Sequence, residues 1–454
     1  MDLAEGLERV LAGIWPDGPV AVEGLARLSG GASRETWSFD ARHPDGTQDP
    51  LILRRDPPGA PRAGGMALEA ALLEEAARAG VPVPRLVVAS DDPAVLGSSF
   101  VLVSRIEGET IPRRVLRESA LAGARPGLAA ECGRVLARIH RGMDRARLPG
   151  LEPQDPMAQY RVVLDTIGWP SPTFELAFRW LEDNRPAPGP PCVVHGDFRN
   201  GNLIVGPDGL RAVLDWEMAH VGDPLEDLSW LCVKSWRFGV DLPVGGFGTY
   251  DQLLSAYEQA GGAPVDRDAL RWWEVLGNLK WGVICMMQAS AHTSGLIRSV
   301  ELAAIGRRVC EVEWDLLDLL RVEAVPIGPE PQADRPVGMH GRPEAAELVE
   351  AVRGFVEGDV IPATEGRVRF HARVAVNVLR MIERELTLGP AQARFHAAGL
   401  PRFGVGTETE LAQSMRQGEL DDRDPELRLF LAQVVRSKLE VANPGYLDGP
   451  QPPS

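Results

Sequence analysis

Along the chain the spacing of apolar positions changes several times, and each change marks a change of element. Leu51-Ile52-Leu53 is a short apolar run closed by Pro57-Pro58-Gly59, the pattern of a strand ended by a turn. Residues 66–79 (MALEAALLEEAARA) are strong helix formers with apolar positions three and four apart, and Gly80 ends them. Val101-Leu102-Val103 predicts another strand, with Glu107-Gly108 at the following turn. From residue 111 to 185 the period is mainly helical. Three β-like runs then follow within 192–216: Cys192-Val193-Val194, Leu203-Ile204-Val205 and Ala212-Val213-Leu214. Helical periodicity returns over 225–320 and stops at 323–343, where five prolines and no clear period predict a linker. Beyond it, Leu348, Val349, Val352, Phe355 and Val356 fall on one helical stripe, and 368–388 and 425–441 also read as helices.

A strand-rich front, a helical back and a hairpin near their seam predict an α+β protein of two lobes, followed by a small all-helical domain. The segments expected are a small β-rich N-lobe over 1–105, a large helical C-lobe over 106–322, the linker 323–343, a helical domain over 344–442 and a tail over 443–454.

Composition narrows the function classes. A net charge of −16 over 454 residues argues against a nucleic-acid binder, which would present a basic face. The five cysteines (Cys132, Cys192, Cys232, Cys285, Cys310) show no C-x-x-C spacing, so neither a disulfide scaffold nor a structural zinc site is expected. The first residues, MDLAEGLERV, lack the basic and apolar regions of a signal peptide, and no apolar run is long enough to span a bilayer. A cytoplasmic protein without membrane or nucleic-acid partners is the expectation. The only lysines are Lys234, Lys280 and Lys438, so a phosphate clamp in the first 230 residues must be an arginine.

The candidate chemistry lies in His195-Gly196-Asp197-Phe198-Arg199-Asn200-Gly201-Asn202, followed by LIVGPDGLRAVL and Asp215-Trp216. Pro207-Asp208-Gly209 is a turn signal between two β-like runs. Folding the hairpin symmetrically about Asp208 and Gly209 places Asn202 opposite Asp215, where an amide oxygen and a carboxylate could share one Mg2+. Asp197 precedes Asn202 by the spacing of the D-x-x-x-x-N catalytic loop of kinases, in which the aspartate accepts the proton of the substrate hydroxyl.

H-G-D-F-x-x-G-N, then L-D-W-E, then G-D-P-L-E-D-L resembles the aminoglycoside/choline-kinase-like phosphotransferase family over residues 20–320. The resemblance implies a protein-kinase-like fold, ATP as co-substrate and direct transfer to a small-molecule hydroxyl. It makes Asp197 the catalytic aspartate, Asn202 and Asp215 the Mg2+ ligands, Asp227 a buried brace under the catalytic loop and His195 structural. It also likens Leu28-Ser29-Gly30-Gly31-Ala32-Ser33-Arg34-Glu35-Thr36-Trp37 to the loop over the nucleotide phosphates, with Ser29, Gly30, Gly31 and Ser33 as contacts. Arg54 then stands where the family has a phosphate-clamping lysine, with Glu69 as its helix partner and Glu74 as the rival. The runs L-I-L-R-R-D-P-P-G, V-P-V-P and D-P-A-V-L-G-S-S-F-V-L-V resemble the subgroup associated with acyl-CoA dehydrogenases, where arginine is usual at this strand position. That likeness implies a hydroxyacyl-CoA acceptor and partner enzymes of acyl-CoA metabolism. R-F-H-A-R-V-A-V-N-V-L-R-M-I-E-R-E-L resembles a helical domain of unknown function that accompanies such phosphotransferases.

Other readings stay open. Arginine in the lysine position leaves room for a catalytically silent nucleotide-binding module, and an aminoglycoside or amino alcohol could equally be the acceptor. A metal-dependent phosphohydrolase built on His195 and Asp197 would need a second ligand cluster, which the sequence does not show. His140 and His220 read as packing or capping residues, and Trp272, Trp273 and Trp281 as core. Arg369, Arg373, Asn377, Arg380 and Arg384 read as a solvated helix face, with an anion or partner site as the sharper alternative.

Overall fold

The computed structural model describes residues 2–15, 18–28, 34–57, 65–323 and 343–449. In chain order the first part runs α1 (Leu3–Ile14), β1 (Ala21–Arg27), β2 (Glu35–Arg42), β3 (Gln48–Arg55), α2 (Gly65–Arg78), β4 (Leu86–Ser90), the single turn α3 (Pro93–Leu96) and β5 (Phe100–Ser104). Next come α4 (Pro112–Arg117), α5 (Arg125–Gly142), α6 (Pro156–Ile167) and α7 (Pro172–Asp183). The short strands β6 (Cys192–Val194), β7 (Leu203–Gly206), β8 (Gly209–Val213) and β9 (His220–Gly222) follow. Helices α8 (Pro224–Trp230), α9 (Tyr250–Gln259), α10 (Arg267–Thr293), α11 (Val300–Gly306) and α12 (Val309–Leu319) complete this stretch. The last part is all helical: α13 (Ala345–Phe355), α14 (Ile361–Ala363), α15 (Gly366–Gly399), α16 (Glu408–Arg416) and α17 (Pro425–Ala442).

The described residues form two compact units, which run across the sequence segments rather than along them: those within 2–154 and 187–270 make one, and those within 155–186 and 271–449 the other. The apolar surfaces explain the division. In the second unit Phe174, Phe178, Leu279, Val283, Leu316, Met415, Phe430 and Leu439 share one core, so the tail helices α16 and α17 bury their apolar faces with α7, α10 and α12. Trp272, Trp273 and Trp281 belong to that core as well, and the buried Trp272 indole donates to the Leu181 carbonyl at 2.8 Å. In the tail, Arg384 donates to the Val441 carbonyl at the end of α17 and Arg380 pairs with Glu357, while Arg369, Arg373 and Asn377 are exposed. On α13, Leu348, Val352 and Phe355 lie along one stripe and are each more than half exposed.

The first unit positions the candidate site. Its five-stranded sheet is antiparallel in the order β1-β2-β3-β5-β4. Because side chains alternate along a strand, β5 feeds two cores: Phe100 and Leu102 pack with Leu7 and Leu11 of α1, while Val101 and Val103 pack with Leu72 and Leu73 of α2. On β3, Leu51 and Leu53 go with the α1 side and Ile52 with the α2 side. Position 54 therefore faces α2.

Behind the sheet, α5 and α9 pack so closely that a Cβ on Gly133 would lie 2.2 Å from the Leu253 carbonyl oxygen. Gly133→Ala should therefore lower stability by about 2 kcal/mol or more, because two helix backbones must separate. Gly127→Ala, whose new Cβ would meet only Glu131 at 3.5 Å on the same helix, should be neutral or slightly stabilising. Urea midpoints of the two variants check this, and equal midpoints would refute it.

Candidate active site

The site is built around a buried carboxylate. Asp227, on α8, is fully buried; its Oδ2 accepts from the His195 backbone N–H at 2.7 Å and its Oδ1 from that of Gly196 at 2.9 Å. His140, near the end of α5, is also buried and meets Asp227 Oδ2 through Nε2 at 3.1 Å, with its Nδ1 3.1 Å from the Tyr257 hydroxyl. Burial alone would raise the Asp227 carboxyl, but the hydrogen bonds from His140 and from the His195 backbone N–H outweigh it and hold the carboxyl below its ordinary range. Gly196 turns the chain at φ +76°, and a Cβ there would lie 2.3 Å from the Met218 carbonyl oxygen, so only glycine fits.

Both nitrogens of His195 are engaged. Its Nδ1 accepts from the Asp197 backbone N–H at 3.2 Å, which leaves Nε2 to donate to the Leu214 carbonyl at 3.0 Å. One neutral imidazole thus ties the backbone of Asp197 to the residue before Asp215. Burial pushes the ring's pKa down, in keeping with that neutral form. A ring so engaged has no lone pair for a metal, which removes the geometry a His195–Asp197 hydrolase would need. Among the described residues no group of three His, Cys, Asp or Glu side chains could hold a metal by itself.

Asp197 is held on both oxygens. Oδ1 accepts from Trp230 Nε1 at 2.8 Å and from Arg199 Nε at 3.0 Å, and Oδ2 accepts from the Asn202 amide at 2.6 Å. Arg199 in turn lies over the Trp236 ring at 4.6 Å. Since the Asn202 nitrogen also donates to the Asp197 carbonyl at 3.0 Å, its amide oxygen faces away from Asp197 and remains an acceptor for a cation.

The hairpin register differs from the symmetric fold by one residue. Gly206 pairs with Gly209 across a two-residue Pro207-Asp208 loop, and a bulge at Arg211 leaves Leu203 opposite Val213. Leu214 N–H then donates to the Asn202 carbonyl at 2.8 Å, so Asn202 faces Leu214 and not Asp215. A regular strand would send residues 214 and 215 to opposite faces. Asp215 breaks that alternation with a left-handed backbone, φ 65° and ψ 69°, a conformation costing about 1–2 kcal/mol for an L-residue.

So turned, Asp215 Oδ1 meets Arg54 Nη2 at 2.7 Å, and Arg54 Nη1 meets Glu69 Oε1 at 2.5 Å. Burial by itself would depress the Arg54 guanidinium, but Glu69 and Asp215 outweigh it and keep it above its usual value. The rival Glu74 is exposed. A second arginine that the sequence reading passed over, Arg34, pairs with Glu69 Oε2 and with Asp56 at 3.1 Å, and its Nη1 lies 3.8 Å from Glu217. Four carboxylates (Asp56, Glu69, Asp215, Glu217) thus face two guanidiniums. That deficit of two positive charges, with the Asn202 oxygen and the second Asp215 oxygen as hard donors, fits a divalent cation such as Mg2+ completed by water and phosphate. Ser29, Gly30, Gly31 and Ser33 lie outside the described residues.

Arg34, Asp56, Arg199, Glu217 and Trp230 have no role in the sequence analysis, and His140 reads there only as a packing or capping residue. Only Arg199 carried a usable signal, as the one cation between Asp197 and Asn202.

Residues 24–273 match the model of the phosphotransferase enzyme family (APH), and residues 362–446 match a domain of unknown function (DUF6285). Acyl-CoA dehydrogenase family member 10 of Mus musculus is 30% identical over 198 residues, covering 40% of this chain and 18% of that protein. Acyl-CoA dehydrogenase family member 11 of Rattus norvegicus is 23% identical over 348 residues, covering 71% of this chain and 44% of that protein. The chain thus spans less than half the length of these relatives. Among solved structures, a putative aminoglycoside phosphotransferase from Ralstonia eutropha superposes with TM-score 0.53 at 23% identity, covering 69% of this chain and 97% of its own. Spectinomycin phosphotransferase in complex with ADP and spectinomycin superposes with TM-score 0.50 at 13% identity, covering 69% and 98%. Both share the fold.

The buried ring gives a pH signature. With the His195 pKa depressed in the folded chain, the unfolded chain alone takes up this proton below about pH 6.5, so stability falls as pH drops through that value. The Asp227 contribution is present above about pH 3.9 and is lost as pH falls through its lower folded value. His195→Asn should therefore be less stable at pH 8 yet lose less stability between pH 6.5 and 5 than the wild type. Melting temperatures across that range decide it, and parallel curves would refute the buried neutral ring.

Proposed function

The chain belongs to the phosphotransferase enzyme family, whose members transfer phosphate to small-molecule hydroxyls, and we propose that it uses Mg2+-ATP to phosphorylate a hydroxyacyl-CoA. The observation that carries the kinase chemistry is the single imidazole of His195, which holds the Asp197 loop against the segment of Asp215, itself paired with Arg54. General base, metal carboxylate and phosphate clamp are thereby gathered by one set of contacts. The acceptor class rests on the relatives named acyl-CoA dehydrogenase family members and on the front-lobe runs that resemble them.

In this reading the acceptor hydroxyl donates to Asp197, which orients the oxygen for in-line attack on the γ-phosphorus of ATP. As the new O–P bond forms, the bond to the bridging oxygen of ADP breaks, and Asp197 takes the hydroxyl proton late. Trp230, Arg199 and Asn202 fix the carboxylate's direction, so little reorganisation is needed when the substrate arrives. Arg54 offers a guanidinium to the nucleotide phosphates. Bound between Asn202 and Asp215, Mg2+ would neutralise charge on the phosphates. No residue has to become phosphorylated. The cytoplasm is the proposed location; no helix among the described residues is long and apolar enough to cross a membrane. Enzymes of acyl-CoA metabolism are the proposed partners.

The Arg54–Asp215 contact also favours a second reading, a silent nucleotide-binding module in which the guanidinium permanently fills the cation's place. One experiment separates the two. The chain is incubated with Mg2+-ATP and 3- and 4-hydroxyacyl-CoAs, free hydroxy acids, choline, ethanolamine or aminoglycosides, and products are read by mass. Phosphorylated hydroxyacyl-CoA is expected, absent with Asp215→Ala and reduced about 100-fold or more with Asp197→Asn. Product from choline, ethanolamine or an aminoglycoside alone would discard the acyl-CoA acceptor. Asp197→Asn turning over near the wild-type rate would sink the base assignment. No turnover of any acceptor would leave the silent module.

A further inference from the structure

Arg34 has no part in the reading above, yet its guanidinium is among the most enclosed charges of the site, with 8% of its side chain exposed. The sheet register explains how it arrives there. Glu35 pairs with Arg55 and Thr36 with Arg54, so the next position outward sets residue 34 beside residue 56. Arg34 Nε accordingly meets Asp56 Oδ1 at 3.1 Å, which leaves the end of the guanidinium directed at α2. There it takes Glu69 Oε2 while Arg54 takes Glu69 Oε1. Glu69 is almost fully buried and is divided between two arginines, one oxygen each.

That division has a consequence for Arg54. A carboxylate with both oxygens available draws an arginine into a two-point fork, engaging two of its nitrogens. With Oε2 already taken, Glu69 holds Arg54 through Nη1 alone, and Nη2 reaches Asp215 at 2.7 Å. We propose that Arg34 is a positioning residue of the nucleotide site: by occupying half of Glu69 it keeps one amine of Arg54 exchangeable, held by Asp215 in the nucleotide-free chain and released to phosphate when Mg2+-nucleotide takes Asp215. The release step rests on the kinase reading. The coupling of Arg34 to Asp215 through Glu69 and Arg54 does not. A lysine in place of Arg34 would keep the charge but could not span both Asp56 and Glu69 with a planar fork.

The test is a cycle in two parts on the full chain. In the nucleotide-free protein, melting temperatures of Arg34→Ala, Asp215→Asn and the double variant should be non-additive by about 2 °C or more, since both substitutions act on Arg54. Additivity within about 1 °C overturns the proposal. In the second part, thermal shifts with Mg2+-ADP should give Arg34→Ala an affinity weaker by about tenfold, with Arg34→Lys between it and the wild type. An Mg2+-ADP affinity within about twofold of wild type, whatever the melting temperature, marks Arg34 as merely structural and also overturns it. Arg34→Ala strips the partner from a buried Asp56, so if it does not fold, Arg34→Lys replaces it in both parts. Asp56→Asn should leave the coupling to Asp215 in place; loss of the coupling in that variant would move the effect from Glu69 to Asp56 and refute the mechanism. Failure of Mg2+-ADP to shift the wild type would count against the kinase reading, and the nucleotide-free cycle would then decide the arginine coupling alone.

Discussion

The carboxylate of Asp227 has no contact with solvent, and the rest of the site is arranged around that fact. An ion of this size stripped of water costs several kcal/mol unless donors replace the water. Here two consecutive backbone N–H groups and one imidazole do so, and the N–H groups belong to the residues just before Asp197. Satisfying the buried charge therefore fixes the conformation of the loop that carries the candidate base. It also explains why residue 196 must be glycine: the chain can offer two successive N–H groups to one carboxylate only by turning through a positive φ, hard against the Met218 carbonyl. His140 supplies the third donor from α5, so the loop is referred to the core of the unit and not only to its own neighbours.

From that fixed loop, the order extends one contact at a time. His195 reaches back over the Trp216 ring, at 4.6 Å between centroids, to hold the Leu214 carbonyl. The peptide leading into Asp215 is thereby immobilised, and Trp216 behind it is buried. A left-handed aspartate between two anchored residues is strained but has little freedom to relax, the usual condition for strain to persist at a functional site. Arg54 then meets Asp215 from the opposite direction, off the sheet. The candidate base Asp197, the Asp215 carboxylate and the Arg54 guanidinium derive their positions from Asp227, His195 and the β3 register respectively.

Much of this was legible in the sequence, and the parts that were not share a cause. Strand and helix periods located β3, β5, β6, β7, β8 and α2, and the D-x-x-x-x-N spacing picked out Asp197 and Asn202, because these signals are local. The hairpin register was not legible: Pro207-Asp208-Gly209 permits a loop centred one residue earlier, and the bulge at Arg211 answers to packing with α5, whose Glu131 accepts from the Leu210 N–H at 2.7 Å. Arg34 read as one more residue at the edge of a glycine-rich run; only pairing with a strand twenty residues on shows that it faces Asp56. His140 read as a helix-end histidine for the same reason, since its partner lies 87 residues away. The compact units were hidden likewise, because helices with ordinary amphipathic stripes do not announce which other stripe they will cover.

Arginine at position 54 looks different once its surroundings are known. Lysine presents one compact ammonium, well suited to a site with one carboxylate partner. Here the partner carboxylate is already half engaged by Arg34, and a second carboxylate stands on the far side at Asp215. A single ammonium would have to choose between Glu69 and Asp215 or sit between them, whereas the planar fork of Arg54 meets both at hydrogen-bond distance with separate nitrogens. The two arginines are thus consequences of each other: Arg34 makes half of Glu69 unavailable, and the remaining half with Asp215 forms a divided acceptor that a guanidinium fits and an ammonium does not. Departure from the lysine common at this strand position is then a change of geometry across the whole cluster, which keeps its excess of carboxylates and with it the fit to a divalent cation.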